Sequence, residues 1–227
     1  MTQSDSDQTM FQSPDLVVQV DIISDVMCPW CIVGFKQLEM ALGQTGIGAR
    51  VRWHPFELNP DMGPDGENTA DHIMRKYGTS RAQSKEARAQ LKDIGQALGF
   101  AFNFSADSRI VNSFKAHQLL DYAATKGLQH PLKLALFKAH FTEGRDVSCQ
   151  TVLLEVAAAN GLEAAEVETV LAQDRHAKAV RAQERVWAQN GISGVPTMIF
   201  NEKFVLTGAQ GPQAYAHVLQ DVLSGET

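Results

Sequence analysis

The chain has 227 residues, of which 44% are hydrophobic and 20% are charged. These values are typical of a globular protein and exclude disorder for most of the chain. Three cysteines are too few for a disulfide framework, and a net charge of −6 gives no electrostatic support to binding of nucleic acid or of an anionic membrane. Since the chain has no long apolar run and no secretory signal pattern at its start, we expect a cytoplasmic protein without a membrane partner.

The first third of the chain reads as strand, helix, strand. Residues 1–15 are polar and lack periodicity, which predicts a disordered tail. Leu16–Ser24 is rich in β-branched residues and predicts a buried strand. A helix of about three turns is expected directly after it, and the alternation over Ala49–Glu57 indicates a half-buried strand. Residues 58–67 carry several Pro and Gly, as a loop does.

The middle of the chain, residues 66–190, shows helix-like sequence patterns and lacks strand signals, so it is interpreted as an all-helical insertion. Ser148 is a plausible N-cap within it. The predicted helices are Thr69–Tyr77, Ser80–Leu98, Ile110–Lys126, Pro131–Thr142, Ser148–Asn160, Ala164–Leu171 and Arg175–Gln189. In residues 191–227 strand patterns appear again. The predicted elements there are the strands Pro196–Phe200 and Phe204–Thr207 and a helix, Pro212–Leu223. Residues 16–65 and 191–227 are therefore expected to form one α/β domain around the insertion, in the order β-α-β, insertion, β-β-α.

The sequence Cys28-Pro29-Trp30-Cys31 lies where the first strand gives way to the first helix. Proline is favoured at the first helical position, which makes Cys28 the N-cap. Unsatisfied N–H groups and the positive end of the helix dipole stabilise a thiolate there, so we expect a Cys28 pKa below about 8.5. Cys28 is the predicted nucleophile and Cys31 the less exposed resolving thiol, while Trp30 offers an apolar platform to a substrate.

Two other interpretations of the cysteine pair are weaker. A zinc site needs four ligands, and only Cys149 and scattered histidines remain to complete one, so we expect no metal. Incidental cysteines would not be expected at a strand-to-helix junction.

Several segments together resemble the DsbA family of thioredoxin-fold oxidoreductases, and more narrowly its FrnE-like group. They are SDVMCPWCIVGFKQLEMAL, PFELNPDM, NSFKAHQLL, FTEGRDVS and GVPTMIF. This group is related to 2-hydroxychromene-2-carboxylate isomerases and kappa-class glutathione transferases. The resemblance implies a thioredoxin fold with a large helical insertion.

The resemblance also implies roles for residues around Gly194-Val195-Pro196-Thr197. A cis bond before Pro196 would turn the Val195 backbone toward Cys28, where it could pair with an extended substrate or with glutathione; an ordinary trans turn is the alternative. Gln210 precedes the last helix, whose free N–H groups could hold a carboxylate, with a plain helix cap as the other interpretation.

The sequence also suggests roles for Asp25, His117 and Cys149. Relatives often place a carboxylate six residues before the first cysteine, where this chain has Ile22. Asp25 could instead relay a proton, although a loop-capping role is the more common one for such an Asp. His117 is expected to be a satisfied interhelical histidine without an identifiable carboxylate partner. Cys149 is expected to be a small buried apolar residue outside the mechanism.

The favoured function is that of a thiol–disulfide reductase or isomerase without a tightly bound cofactor. Its expected partners are disulfide-containing proteins or glutathione mixed disulfides, with glutathione as a candidate co-substrate. The first alternative is a glutathione-dependent isomerase or transferase acting on a small aromatic substrate. A peptide-binding module that performs no exchange is the second alternative, and the sequence is compatible with a monomer or a homodimer.

Overall fold

The computed structural model describes residues 9–10 and 17–225. The strands in that part of the chain are β1 (Thr9–Met10), β2 (Val17–Ser24), β3 (Gly48–Pro55), β4 (Glu67–Asn68), β5 (Arg109–Ile110), β6 (Thr197–Phe200) and β7 (Phe204–Thr207). The helices are α1 (Pro29–Thr45), α2 (Thr69–Tyr77), α3 (Arg81–Ala97), α4 (Phe114–Ala124), α5 (Gln129–Phe137), α6 (Gln150–Ala159), α7 (Ala164–Ala172), α8 (Ala177–Gln189) and α9 (Pro212–Ser224). A π-helical turn, Lys138–Thr142, continues α5.

Five strands form one mixed sheet in the order β1-β3-β2-β6-β7. β2 and β3 are parallel, which requires the crossover through α1, and β6 pairs with β2 in the antiparallel sense. β2 is buried on both faces over most of its length, which explains its nearly continuous run of apolar residues. Helices α1 and α9 pack together, while α5 and α8 pack against β3.

Two hydrophobic clusters meet at the turn between β2 and α1. One cluster joins the sheet to α1 and α9 and contains Cys28 and Cys31. The other lies within the insertion and includes Val26 and Met27 from the same turn. The segment that carries the two cysteines is therefore held by both cores.

The predicted order β-α-β, insertion, β-β-α is confirmed, but the insertion is not entirely helical. Arg109–Ile110 pairs with Glu67–Asn68 as a two-stranded ladder, so the helix expected from Ile110 begins at Phe114. The guanidinium of Arg109 donates to the carbonyl oxygens of Asp65 and Gly66, which ties the two segments together. This pairing depends on contacts across more than 40 residues, which helical periodicity does not report.

Local hydrogen bonds also shift one predicted helix start. α6 begins at Gln150 with Cys149 as its N-cap, because the Ser148 amide and hydroxyl both donate to Asp146. The Ser148 side chain is therefore occupied one residue before the N-cap of α6.

The predicted disordered tail, residues 1–15, lies outside the described residues except for Thr9–Met10. These two residues pair antiparallel with β3, opposite Arg50 and Ala49, and so depart from the prediction of disorder. Across the described helices, none combines the length and the apolar character that crossing a membrane requires.

Candidate active site

Cys28 and Cys31 lie at the first turn of α1. Cys28 is the N-cap and Pro29 the first helical residue, as predicted, and the Cys31 amide donates to the Cys28 carbonyl oxygen over 3.1 Å. The two sulfurs differ in access, because Cys28 is 4% exposed and Cys31 is 0% exposed. An incoming molecule can therefore reach Cys28 before Cys31.

The expected lowering of the Cys28 pKa is wrong for the reduced pair. A hydrogen bond from its thiol to the Cys31 sulfur, together with burial and the negative charges of Cys31 and Asp25, raises the pKa of Cys28 well above its ordinary value. The Cys28 side chain makes no capping hydrogen bond to the helix, so the helix N–H groups give less stabilisation than the N-cap position suggested.

Cys31 is the member of the pair that carries the negative charge more readily. Burial alone would raise the pKa of its thiol, but the Cys28 thiol, the nearby Ser24 hydroxyl and the positive charge of Lys133 outweigh burial and lower the pKa. The Ser24 hydroxyl is buried and makes no hydrogen bond to any described residue. When the pair loses one proton, the remaining proton therefore stays mainly on Cys28.

Asp25 organises the turn that leads to Cys28. Its carboxylate is 1% exposed and accepts hydrogen bonds from the amides of Met27 (3.1 Å) and Leu58 (2.7 Å). The ring of His117 lies 3.5 Å away, so this histidine has the carboxylate neighbour that the sequence did not identify. Burial alone would raise the pKa of Asp25, but these partners lower it. A loop-capping role is thus in place, while the proton relay stays a prediction.

The Val195–Pro196 peptide bond is cis. The carbonyl oxygen of Val195 lies 3.7 Å from the Cys28 sulfur. Beside it, the Thr197 hydroxyl donates to the Gly194 carbonyl oxygen over 2.8 Å and closes the turn. Gly34 of α1 faces this loop, and a Cβ at that position would lie 3.1 Å from Cγ of Pro196. A side chain at Gly34 would separate the loop from the helix that carries the cysteines.

A cavity of about 550 Å³ opens on Cys28 and is bordered by the insertion. Pro29, Trp30 and Val195 line it on one side, and Trp30 is 44% exposed. On the other side its lining includes His72, Tyr77, Leu91, Phe104, Val111 and His140. The volume falls within the range of small-molecule sites, and the apolar lining suits an apolar group next to a sulfur.

The remaining predicted site residues do not line this cavity. Cys31, Pro196, Gly194 and Thr197 lie behind the residues that do. Gln210 is exposed, and its side-chain amide donates to the Thr207 carbonyl oxygen. The Gly211 amide, one of the groups expected to bind a carboxylate, donates to the Gln37 side chain. Substrate binding by Gln210 stays a prediction.

Cys149 differs from its expectation, because its side chain is exposed at the start of α6 rather than buried. Among residues 17–225, no group of three His, Cys, Asp or Glu side chains is arranged to hold a metal ion.

Sequence reasoning missed Lys133, which is 1% exposed although a lysine side chain is ordinarily solvated. Its position as the only charged residue within the apolar run LKLALF was the available signal.

Comparison with known proteins agrees with this geometry. Residues 19–220 match the family model described as the DSBA-like thioredoxin domain. The chain is 32% identical to a probable DsbA oxidoreductase from Streptomyces coelicolor of known structure, with 92% of each chain covered and a TM-score of 0.87. An uncharacterized protein from Bacillus subtilis, YwbO, is 25% identical over 91% of this chain and 98% of its own length.

A third similarity is in fold alone. The cytosolic disulfide reductase DsbM from Pseudomonas aeruginosa, solved with GSH, is 21% identical, with 91% of this chain and 99% of that chain covered and a TM-score of 0.60. With the sheet order, the helical insertion and the position of the cysteine pair, these matches establish that the chain belongs to the family of DsbA-like thioredoxin domains.

Proposed function

We propose that this protein is a thiol–disulfide oxidoreductase that reduces or isomerises disulfide bonds with the Cys28–Cys31 pair. One observation carries the proposal: Cys28 lines a large cavity, while Cys31, hydrogen-bonded to it, is fully buried behind it. A disulfide that enters the cavity meets Cys28 first, and Cys31 is placed to attack the resulting mixed disulfide.

The first step uses the shared proton of the pair. Transfer of the thiol proton from Cys28 to the Cys31 thiolate leaves the charge on Cys28, where the positive end of the α1 dipole stabilises it. The Cys28 thiolate attacks one substrate sulfur, a Cys28–substrate disulfide forms, the substrate S–S bond breaks, and the other substrate sulfur leaves as a thiolate.

The second step forms the internal disulfide. Cys31 gives its proton to solvent or to the substrate thiolate released in the first step, and then attacks the Cys28 sulfur. The Cys28–Cys31 bond forms while the bond to the substrate breaks and a second substrate thiolate leaves. Glutathione or another external thiol would return the pair to the dithiol. If a different substrate thiol attacks the mixed disulfide instead, the outcome is isomerisation.

We propose disulfide-containing proteins and glutathione mixed disulfides as substrates. The Val195 carbonyl oxygen beside Cys28 can accept from an N–H of an extended substrate, and Pro29 and Trp30 offer apolar contact. We also propose the cytoplasm as the compartment, where a pair of this kind stays mostly reduced; the cytosolic description of DsbM supports this.

Reduction of insulin by a thiol reductant tests the proposal. The wild type and the control Cys149→Ser, which lacks the exposed thiol outside the site, should accelerate reduction equally. Cys28→Ser should abolish the acceleration, because no other described thiol borders the cavity. Acceleration that survives Cys28→Ser would contradict the proposed function.

The volume of the cavity, which suits a small molecule, favours one second candidate, a glutathione-dependent isomerase or transferase of small aromatic compounds. Such chemistry needs no resolving thiol. Turnover of a hydroxychromene carboxylate with glutathione, retained in Cys31→Ser, would favour this candidate over disulfide exchange.

A further inference from the structure

Lys133 lies on α5, which packs against β3 of the sheet, and its ammonium group is buried. Its Nζ lies 3.4 Å from the carbonyl oxygen of Ser24, at the end of β2. The same Nζ lies 5.4 Å from the ring centroid of Trp53 and 4.9 Å from that of Phe137. One carbonyl and two aromatic faces only partly replace the hydration that burial removes.

The charges that face Lys133 belong to the active site. Burial lowers the pKa of Lys133 to about 8, and negative charge on Cys31, then Asp25, then Cys28 opposes this effect. At pH 7 a group with this pKa is about nine-tenths protonated. Lys133 is therefore a cation beside the cysteine pair under ordinary conditions.

Asp25 is already engaged and does not neutralise Lys133 fully. Its carboxylate accepts from two backbone amides and contacts His117. Cys31 has no comparable set of partners, because apart from Cys28 its stabilising neighbours are the Ser24 hydroxyl and the Asp25 backbone. The Ser24 carbonyl oxygen therefore places the Lys133 ammonium at the end of β2, next to the turn that leads to the cysteines.

The other titratable groups around Lys133 are paired among themselves. Lys133 borders a cavity of about 10 Å³ together with His54, His117 and Asp121. His54 hydrogen-bonds to Asp21, and Asp121 hydrogen-bonds to His176 and Gln183. On α5 itself, His130 accepts from the Trp53 indole, and burial lowers the pKa of His130 to about 4, so it is neutral near pH 7.

We propose that Lys133 is a positioning residue for the resolving step, whose buried ammonium stabilises the Cys31 thiolate. This role rests on the proposed disulfide exchange. Once Cys28 is bound to substrate, its thiol no longer donates to Cys31, and the positive charge of Lys133 remains among the groups that favour the charged sulfur. The Cys31 thiolate then attacks the Cys28 sulfur and the substrate leaves as a thiolate, with Lys133 keeping its proton throughout.

The test measures the titration of Cys31 alone. In a Cys28→Ser, Cys149→Ser background, the ultraviolet absorbance of the thiolate reports only Cys31 among the three cysteines. Adding Lys133→Met removes the charge and nearly conserves the length of the side chain. A nearby opposite charge shifts a pKa by about 1–3 units, so the Cys31 pKa should rise by at least about one unit.

Lys138→Met is the matched control, because Lys138 directly follows α5, is exposed and faces Glu143. It should leave the Cys31 titration unchanged. An equal titration in Lys133→Met and in the background would overturn the proposal. Insulin reduction that survives Cys28→Ser would instead overturn the proposed function, so the two failures are distinguishable.

A second measurement needs no substitution at Lys133. Nuclear magnetic resonance of the lysine side-chain nitrogens in the wild type should give a lower Lys133 pKa with the pair oxidised than with it reduced, because a disulfide carries no thiolate. An unchanged Lys133 pKa between the two redox states would overturn the proposal even if Lys133→Met failed to fold.

Discussion

The substitution Asp25→Asn tests how the turn before Cys28 is held. The Asp25 carboxylate accepts from the amides of Met27 and Leu58 with its two different oxygens. An asparagine side chain of the same shape has one acceptor oxygen and one NH2 group, so one of the two amides would face a donor. A hydrogen bond to a charged group is worth about 1.5–3 kcal/mol, and the expected loss of unfolding free energy is about 2–3 kcal/mol.

Urea denaturation at pH 7 measures this loss directly. Asp61→Asn is the matched control, because Asp61 is exposed in the following loop, and surface substitutions change stability by about 0.5 kcal/mol or less. An Asp25→Asn variant as stable as this control would refute the role of the two hydrogen bonds.

The pH dependence of the unfolding free energy provides a second test of Asp25. The pKa of Asp25 is lower in the folded protein than its ordinary value near 3.9. The folded state therefore binds the proton more weakly, and the stabilisation is complete above about pH 4 and is lost as the pH falls through the lowered folded value. Asp25→Asn should lack this acid-dependent part of the stability. A shifted pH profile of insulin reduction in the variant would add the proton relay to the structural role.

Three further predictions address the site and its supports. After incubation with oxidised glutathione, Cys31→Ser should accumulate a mixed disulfide with glutathione on Cys28, with one reduced glutathione released, as seen by mass spectrometry; equal adduct levels in the wild type would contradict the resolving role. Gly34→Ala should lower the unfolding free energy by about 1–3 kcal/mol, since its Cβ would lie 3.1 Å from Cγ of Pro196. Gly43→Ala, in the same helix with nothing within 4 Å, is the control and should be neutral or slightly stabilising. Burial lowers the pKa of His130 to about 4. Between about pH 6.5 and 4 the unfolded chain therefore binds a proton at His130 more strongly than the folded chain does, and the unfolding free energy should fall as the pH is lowered through this range. His130→Gln should flatten this slope in urea denaturation, and an unchanged slope would show that another group causes it.

The fold and the position of the reactive pair could be predicted because they depend on local pattern. The apolar run before Cys28 and the proline after it specify a buried strand followed by a helix whose N-cap is a cysteine. These features involve residues that are adjacent in the chain, and propensity and periodicity report them well.

The electrostatics of the pair could not be predicted in the same way. The N-cap position suggested a low pKa for Cys28, but the outcome depends on the buried Cys31 sulfur and on Lys133, which comes from a helix about 100 residues away. The same holds for His117 beside Asp25 and for the β4–β5 ladder. Tertiary contacts between distant segments decide each of these features, and a single sequence carries no local signal for them.

Equilibration of the reduced protein with glutathione redox buffers, followed by mass spectrometry after acid quenching, tests the central claim most directly. We expect one two-electron transition that links and opens Cys28 and Cys31, is absent from Cys28→Ser, and leaves Cys149 outside the exchange between the two sulfurs. A pair that stays in one form across every ratio of reduced to oxidised glutathione would contradict disulfide exchange at this site.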